Sequence, residues 1–216
     1  QILYGITAVY VAFLTFLSFE RSDIWQNSET LWDDTIEKSP KSVVAWNNRG
    51  SLKDIKAVKA MEEFRVEEAK SLRYSAIEDF SEAIRRKPDY KNAFYNRGVS
   101  SFELGKVLRD TALISSSIID FDNALKQDAQ FPDAYHNRAN AKAEIGRFEA
   151  AIKDFNIAID LKPMDFNYYT NRGVTKGKMR NIQGAIDDFN KAIEIAPEEG
   201  AIYSNRGRAK MLINDV

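Results

Sequence analysis

The chain contains no cysteine, and only one of its 216 residues, His136, is a histidine. The first absence removes disulfides and thiolate metal sites, and it fits either redox compartment. The second removes histidine-based metal clusters and most serine–histidine or cysteine–histidine machinery. An excess of charge is missing too: 31 basic residues stand against 32 acidic ones, which leaves no electrostatic footprint for nucleic acid. No catalytic residue, metal or cofactor is expected, and His136 reads as a polar groove residue rather than a catalyst. Gly173-Val174-Thr175-Lys176-Gly177-Lys178 imitates a phosphate loop, but it is one residue short and Met179 replaces the Ser or Thr.

What the chain does have is one phrase written five times. Asn-Arg-Gly occurs at Asn48-Arg49-Gly50, Asn96-Arg97-Gly98, Asn171-Arg172-Gly173 and Asn205-Arg206-Gly207, with Asn137-Arg138-Ala139 as the variant. An aromatic stands two residues before each Asn: Trp46, Phe94, Tyr135, Tyr169 and Tyr203. The last three aromatics are 34 residues apart. A second phrase comes later in each unit: Ala151, Asp154, Phe155, Ala158 and Pro163, then Ala185, Asp188, Phe189, Ala192 and Pro197. Earlier units carry Ala76, Asp79, Phe80, Ala83 and Pro88, then Ser117, Asp120, Phe121 and Ala124, with Ala129 in place of the closing Pro. Recurrence at a fixed period marks a solenoid of stacked units.

This pattern resembles the tetratricopeptide repeat, a 34-residue helix–turn–helix unit. The resemblance covers Val43 to the end and implies an all-α solenoid, a right-handed superhelix. Small residues (Gly50, Gly98, Ala139, Gly173) let the two helices of a unit approach, Ala and Phe fill the gap, and Pro stops the second helix. Units are expected near 43–90, 91–131, 132–165 and 166–199, with a truncated unit at 200–216 and an amphipathic half-repeat at 21–42. The half-repeat has its helix at Ser28–Lys38 and ends at Pro40. Two spacings exceed the period: Trp46 to Phe94 is 48 residues and Phe94 to Tyr135 is 41. The excesses of 14 and 7 are multiples of about two helical turns, so they lengthen helices without rotating their buried faces. The first hairpin is expected to extend through Ser51–Tyr74, with its turn near Met61–Val66. In the second unit Asp110 is placed to cap a helix starting near Thr111.

The same resemblance implies a binding surface. In O-linked N-acetylglucosamine transferase and kinesin light chain, an Asn at this place forms a ladder along the concave groove and holds the backbone of an extended peptide. Carried over, the ladder is Asn48, Asn96, Asn137, Asn171 and Asn205, flanked by the groove residues Asn92, Tyr95, His136, Asn140, Asn167 and Thr170. An amide offers both donor and acceptor, so it can hold peptide groups whatever their side chains. The alternative is that these Asn side chains only satisfy neighbouring groups. The basic residues of a chaperone-type carboxylate clamp are absent, since Val44, Asn92, Asp133, Asn167 and Ala201 stand in their places. Each Arg of the phrase has an Asp on the second helix of its unit: Arg49 with Asp79, Arg97 with Asp120, Arg138 with Asp154, Arg172 with Asp188. We expect a structural ion pair inside each hairpin.

Ile2–Phe19 carries no charge. Eighteen residues at about 1.5 Å each give roughly 27 Å, close to the ~30 Å hydrocarbon core of a bilayer. Residues 1–20 are therefore expected to form a membrane-spanning helix, and 2–19 to meet the lipid bilayer. Only Arg21, Lys38 and Lys41 are basic between Glu20 and Ser42, which points to a non-cytoplasmic side for the repeats. Gln1 is not a natural start and Val216 falls inside a repeat, so a fragment is expected. The layout Arg21…Trp25…Leu31-Trp32…Pro40 resembles the tail of transmembrane-and-tetratricopeptide O-mannosyltransferases. The expected function is a non-enzymatic scaffold, tethered to a membrane, that binds a protein or extended peptide. The alternatives are the substrate-recruiting tail of a membrane glycosyltransferase, or a soluble cytoplasmic assembly factor or co-chaperone whose first helix caps the array or swaps between chains.

Overall fold

The computed structural model describes residues 28–214, and every regular element among them is a helix. The apolar run at residues 2–19 lies outside the described residues. Among those described, no helix is long and apolar enough to cross a membrane. The chain divides into two compact units, the first ending at Pro88 and the second starting at Asp89.

Unit one holds α1 (Ser28–Lys38), α2 (Val43–Glu62) and α3 (Val66–Arg86). Ser42 caps α2, its hydroxyl accepting from Ala45 N at 3.3 Å. At 20 and 21 residues, α2 and α3 are about two turns longer than Pro132–Glu144 and Phe148–Leu161, at 13 and 14 residues. The extension is lined by alanines: Ala57, Ala60 and Ala69 pack together with Met61 and Leu72 beside them. Below it the register is that of an ordinary hairpin. Gly50 lies against Phe80, where a Cβ would stand 2.7 Å from the ring, so the close approach requires Gly there.

Unit two stacks three hairpins and one further helix. They are α4 (Lys91–Leu108) with α5 (Thr111–Gln127), α6 (Pro132–Glu144) with α7 (Phe148–Leu161), α8 (Phe166–Lys178) with α9 (Ile182–Ile195), and α10 (Gly200–Asn214). Asp110 caps α5 by accepting from Ala112 N at 2.8 Å and Leu113 N at 3.2 Å. The extra turn in each helix of the first hairpin is not left in solvent. Phe102, Ile114, Ile118 and Phe121 form a cluster with Ala141 of the next hairpin, and Ile145 packs on it. Phe121, Phe155 and Phe189 occupy one position in successive second helices and are almost wholly buried.

The hairpin turns share one geometry across both units. A residue with positive φ (Phe64, Arg109, Gly146, Arg180) is followed by one whose N–H reaches back five residues. These bonds are Arg65 N to Ala60 O, Asp110 N to Gly105 O, Arg147 N to Lys142 O and Asn181 N to Lys176 O. That is the Schellman closure, which satisfies carbonyls that a helix end would otherwise leave unpaired. Only one of the four turns uses glycine. In unit two the first helices touch one another in sequence, α4 with α6, α6 with α8 and α8 with α10, while successive second helices do not. The first helices therefore lie on the inner face of the stack.

Candidate functional site

Two sets of polar side chains run along the first helices, and they do different things. The first is built on the Arg of the repeated phrase. In each complete hairpin Nε and Nη2 of the Arg grip both oxygens of one Asp. Arg49 lies 2.9 and 2.6 Å from Asp79, Arg97 2.9 and 2.7 Å from Asp120, Arg138 2.8 and 2.7 Å from Asp154, and Arg172 3.0 and 2.6 Å from Asp188. These Asp side chains are buried, so the fork matters: a buried carboxylate needs paired, directed donors. A lysine one turn after the Arg adds a second cation in three hairpins: Lys53 on Asp79, Lys142 on Asp154 and Lys176 on Asp188, at 2.6–2.8 Å.

The Arg also reaches backwards, which the pairing within hairpins does not include. Its Nη1 donates to Asp33 from Arg49, to Asp122 from Arg138, to Asn156 from Arg172 and to Asn190 from Arg206, at 2.6–2.9 Å. Each acceptor is 16 residues earlier, on the preceding second helix. A constant offset to an Asp or Asn was present in the sequence and was the signal that could have found these contacts. The aromatic three residues before each Arg lies beneath the guanidinium, from 4.8 Å for Arg49 over Trp46 to 5.8 Å for Arg97 over Phe94. One Arg thus ties together two helices of its own hairpin and one of the hairpin before.

The second set is the row of Asn side chains, and each differs in its partners. In unit one Asn48 Oδ1 accepts from Asn47 Nδ2 at 3.3 Å. In unit two Asn96 is partly buried on α4. Asn137 Nδ2 donates to Tyr95 Oη of the preceding first helix at 2.9 Å. Asn171 Nδ2 lies 2.8 Å from His136 Nε2 of the preceding first helix, and Asn140 Nδ2 approaches the same nitrogen at 3.3 Å. Asn205 Oδ1 accepts from Arg208. Tyr95 and His136 are therefore the lateral partners of Asn side chains. Thr170 returns its hydroxyl to Phe166 O, and Asn167 bonds Asp165 through both its backbone and its side chain. Asn92 is exposed on the first turn of α4.

Around this row burial sets the protonation states. Burial holds His136 well below the ordinary histidine range, at about 4, against the opposing pull of Asp165 and Asp133. Burial, with Asp133 adding to it, pushes the Tyr95 hydroxyl up to about 12. Burial and the 2.5 Å bond that Tyr168 donates to Asp133 raise the Tyr168 hydroxyl still further. All three rings are neutral at pH 7. Among the described residues no group of His, Asp and Glu is arranged to hold a metal ion.

A family model for the TPR repeat matches residues 139–179, and one for the tetratricopeptide repeat matches 166–199. Neither reaches residues 2–40, and the resemblance drawn there to membrane O-mannosyltransferases finds no support. No curated protein matches the chain. Among solved structures, TTC0263, a thermophilic TPR protein of Thermus thermophilus, is similar with a TM-score of 0.64 at 15% identity, over 92% of this chain and 95% of that one. MamA is similar at 0.61 and 18% identity, over 79% and 87%. The first TPR of Spaghetti, bound to the HSP90 peptide SRMEEVD, is similar at 0.52 and 19% identity, over 57% and 93%. Residues 139–199 match tetratricopeptide repeat models, and paired helices with Gly–Phe contacts recur along the described residues.

Proposed function

We propose that the chain is a non-enzymatic protein-interaction scaffold and that the inner face of unit two receives an extended peptide or segment of a partner. The observation that carries this reading is the alignment of α4, α6, α8 and α10 on one face. Asn96, Asn137, Asn171 and Asn205 lie at equivalent points of those helices and are partly exposed. A row of half-buried amides spaced by repeat-to-repeat contact suits a chain that runs across the helices and offers its own peptide groups. The similarity of fold to a repeat domain solved with a bound peptide supports the same reading. A membrane tether is part of the proposal through residues 2–19, on the uncharged length of that run. With it goes a non-cytoplasmic position for the repeats.

The direct test is a peptide-library pull-down with the chain and with its Asn137→Ala/Asn171→Ala variant. Retained peptides whose recovery drops in the variant support the groove; recovery unchanged by the double substitution removes it. Flotation of the full-length chain with and without residues 2–19 on lipid vesicles tests the tether.

A further inference from the structure

The rungs at the centre of unit two do not present donors and acceptors equally. His136 on α6 is enclosed by Asp133 and Asn140 of its own helix, by Phe155 of α7, and by Tyr168 and Asn171 of α8. Asp165 and Lys162, in the α7–α8 connection, are the remaining charges that act on it, and they are paired with each other at 2.8 Å. The ring is neutral, and two amide nitrogens address its single Nε2, at 2.8 and 3.3 Å. That nitrogen is the acceptor, so the ring proton sits on Nδ1. The contact also fixes both amides. A planar amide that turns its nitrogen toward the ring carries its carbonyl oxygen on the other branch.

Neither Asn140 Oδ1 nor Asn171 Oδ1 accepts a hydrogen bond from a described residue. Asn137 is in the same state, its nitrogen being held by Tyr95 Oη. Asp133, between Tyr95 and Tyr168, adds a carboxylate of which one oxygen receives the Tyr168 hydroxyl. The rungs of α6 and α8 thus carry three carbonyl oxygens and a carboxylate, beside one remaining N–H on each amide. The rung at Asn205 is of the opposite kind. Its oxygen is taken by Arg208, which leaves an amide nitrogen beside a guanidinium.

We infer that the central rungs, Asn137, Asn140 and Asn171 beside Asp133, select a segment that brings a lysine or arginine side chain to this point. The inference rests on the reading of unit two as a peptide groove and specifies its partner: donor-rich and cationic at the centre, where oriented carbonyls and a carboxylate meet N–H groups in charge-assisted bonds. An acidic segment would set its carboxylate against that of Asp133, a like charge.

Fluorescence anisotropy with labelled octapeptide pools on a Gly/Ala background separates the outcomes. One pool carries a single Lys or Arg, one a single Glu or Asp, and one a single Gln at the same random positions. The basic pool is expected to bind roughly tenfold tighter than the other two, a difference of about 1.4 kcal/mol. The preference is expected to collapse in Asp133→Asn, which keeps the shape and the Tyr168 contact, and in Asn140→Ala/Asn171→Ala. It is expected to persist in Asn205→Ala. Equal binding of all pools, or preference for the acidic one, with binding still lost in Asn137→Ala/Asn171→Ala, overturns the inference and leaves the groove standing. Binding by no pool, or binding indifferent to every Asn substitution, removes both. Thermal melts of each variant identify any that fails to fold, and Asp133→Asn alone then decides.

Discussion

The hairpins α4–α5 and α6–α7 hold the same fork in different electrostatic settings. In both, an Arg grips a buried Asp at 2.7–2.9 Å through two donors. In the second, Lys142 joins Asp154 at 2.7 Å; in the first, the position one turn beyond Arg97 is Ser101, itself buried. Asp120 is left with the guanidinium as its neutralising partner, and burial pushes its carboxyl up, with Arg97 pulling the other way. A similar divergence occurs one residue before the ladder Asn, where α4 carries Tyr95 and α6 carries His136. Matching geometry does not mean matching energetics, because the number of compensating charges around a buried carboxylate is set one side chain at a time.

Removing the Arg from each hairpin puts the contrast between them under the greatest load. Arg97→Ala leaves Asp120 without its cation and is expected to destabilise unit two by about 3–5 kcal/mol, the range for breaking a buried pair. Arg138→Ala leaves Lys142 in place and is expected to lose less. Urea denaturation of the two variants orders them, and equal losses would show that the lysine contributes nothing. Next in size is Gly98→Ala. A Cβ there would stand 2.8 Å from the Phe121 ring, at an expected loss of about 1–3 kcal/mol, although the α6–α7 hairpin already accommodates Ala139 at the same position. A melt showing no loss would mean the α4–α5 hairpin relaxes as freely as its neighbour.

Ser101→Lys restores the missing cation. A carboxyl whose folded pKa is raised stabilises below its unfolded value and loses that contribution as the pH rises through the folded one, so Asp120 weighs against the fold at neutral pH. The variant is expected to raise the melting temperature by about 2–4 °C at pH 7 and to give little at pH 3. A histidine depressed in the folded state has the opposite sign. The unfolded chain takes up the proton first, so stability is full above the ordinary value of 6.5 and falls as the pH drops toward about 4. Melts of the parent chain from pH 7.5 to 4 are expected to show this decline, and His136→Gln to flatten it; a parallel decline in the variant would assign the slope to other groups. The smallest effect lies in the turns. Arg180→Gly places glycine where φ is +63°, as Gly146 already stands at +80°, and is expected to stabilise by about 0.5–1 kcal/mol. Gly146→Ala is expected to lose about as much.

Much of the fold can be read in the chain because each hairpin repeats it. Arg138 and Asp154 are 16 residues apart, as are Arg172 and Asp188, and the two longer separations differ from this by 7 and 14. Added residues enter both helices above the pair in whole turns, so the faces that meet are unchanged. The contacts of Arg138 with Asp122 and of Asn171 with His136 were less accessible. They join adjacent hairpins, and their distance depends on how hairpins stack rather than on spacing within one. The uncharged run at residues 2–19 is a sequence observation, and the described helices carry no second one like it.

Residue type and separation along one covalent hairpin are enough to set the repeat register, the Gly–Phe approach and the Arg–Asp partnership. Three other properties came from the packing of one hairpin on the next: which atom of Asn137 and of Asn171 is held, that His136 is neutral, and that the Arg also secures the hairpin before it. Amide orientation and proton affinity are properties of the surrounding groups, and at this face those groups arrive from a neighbouring repeat.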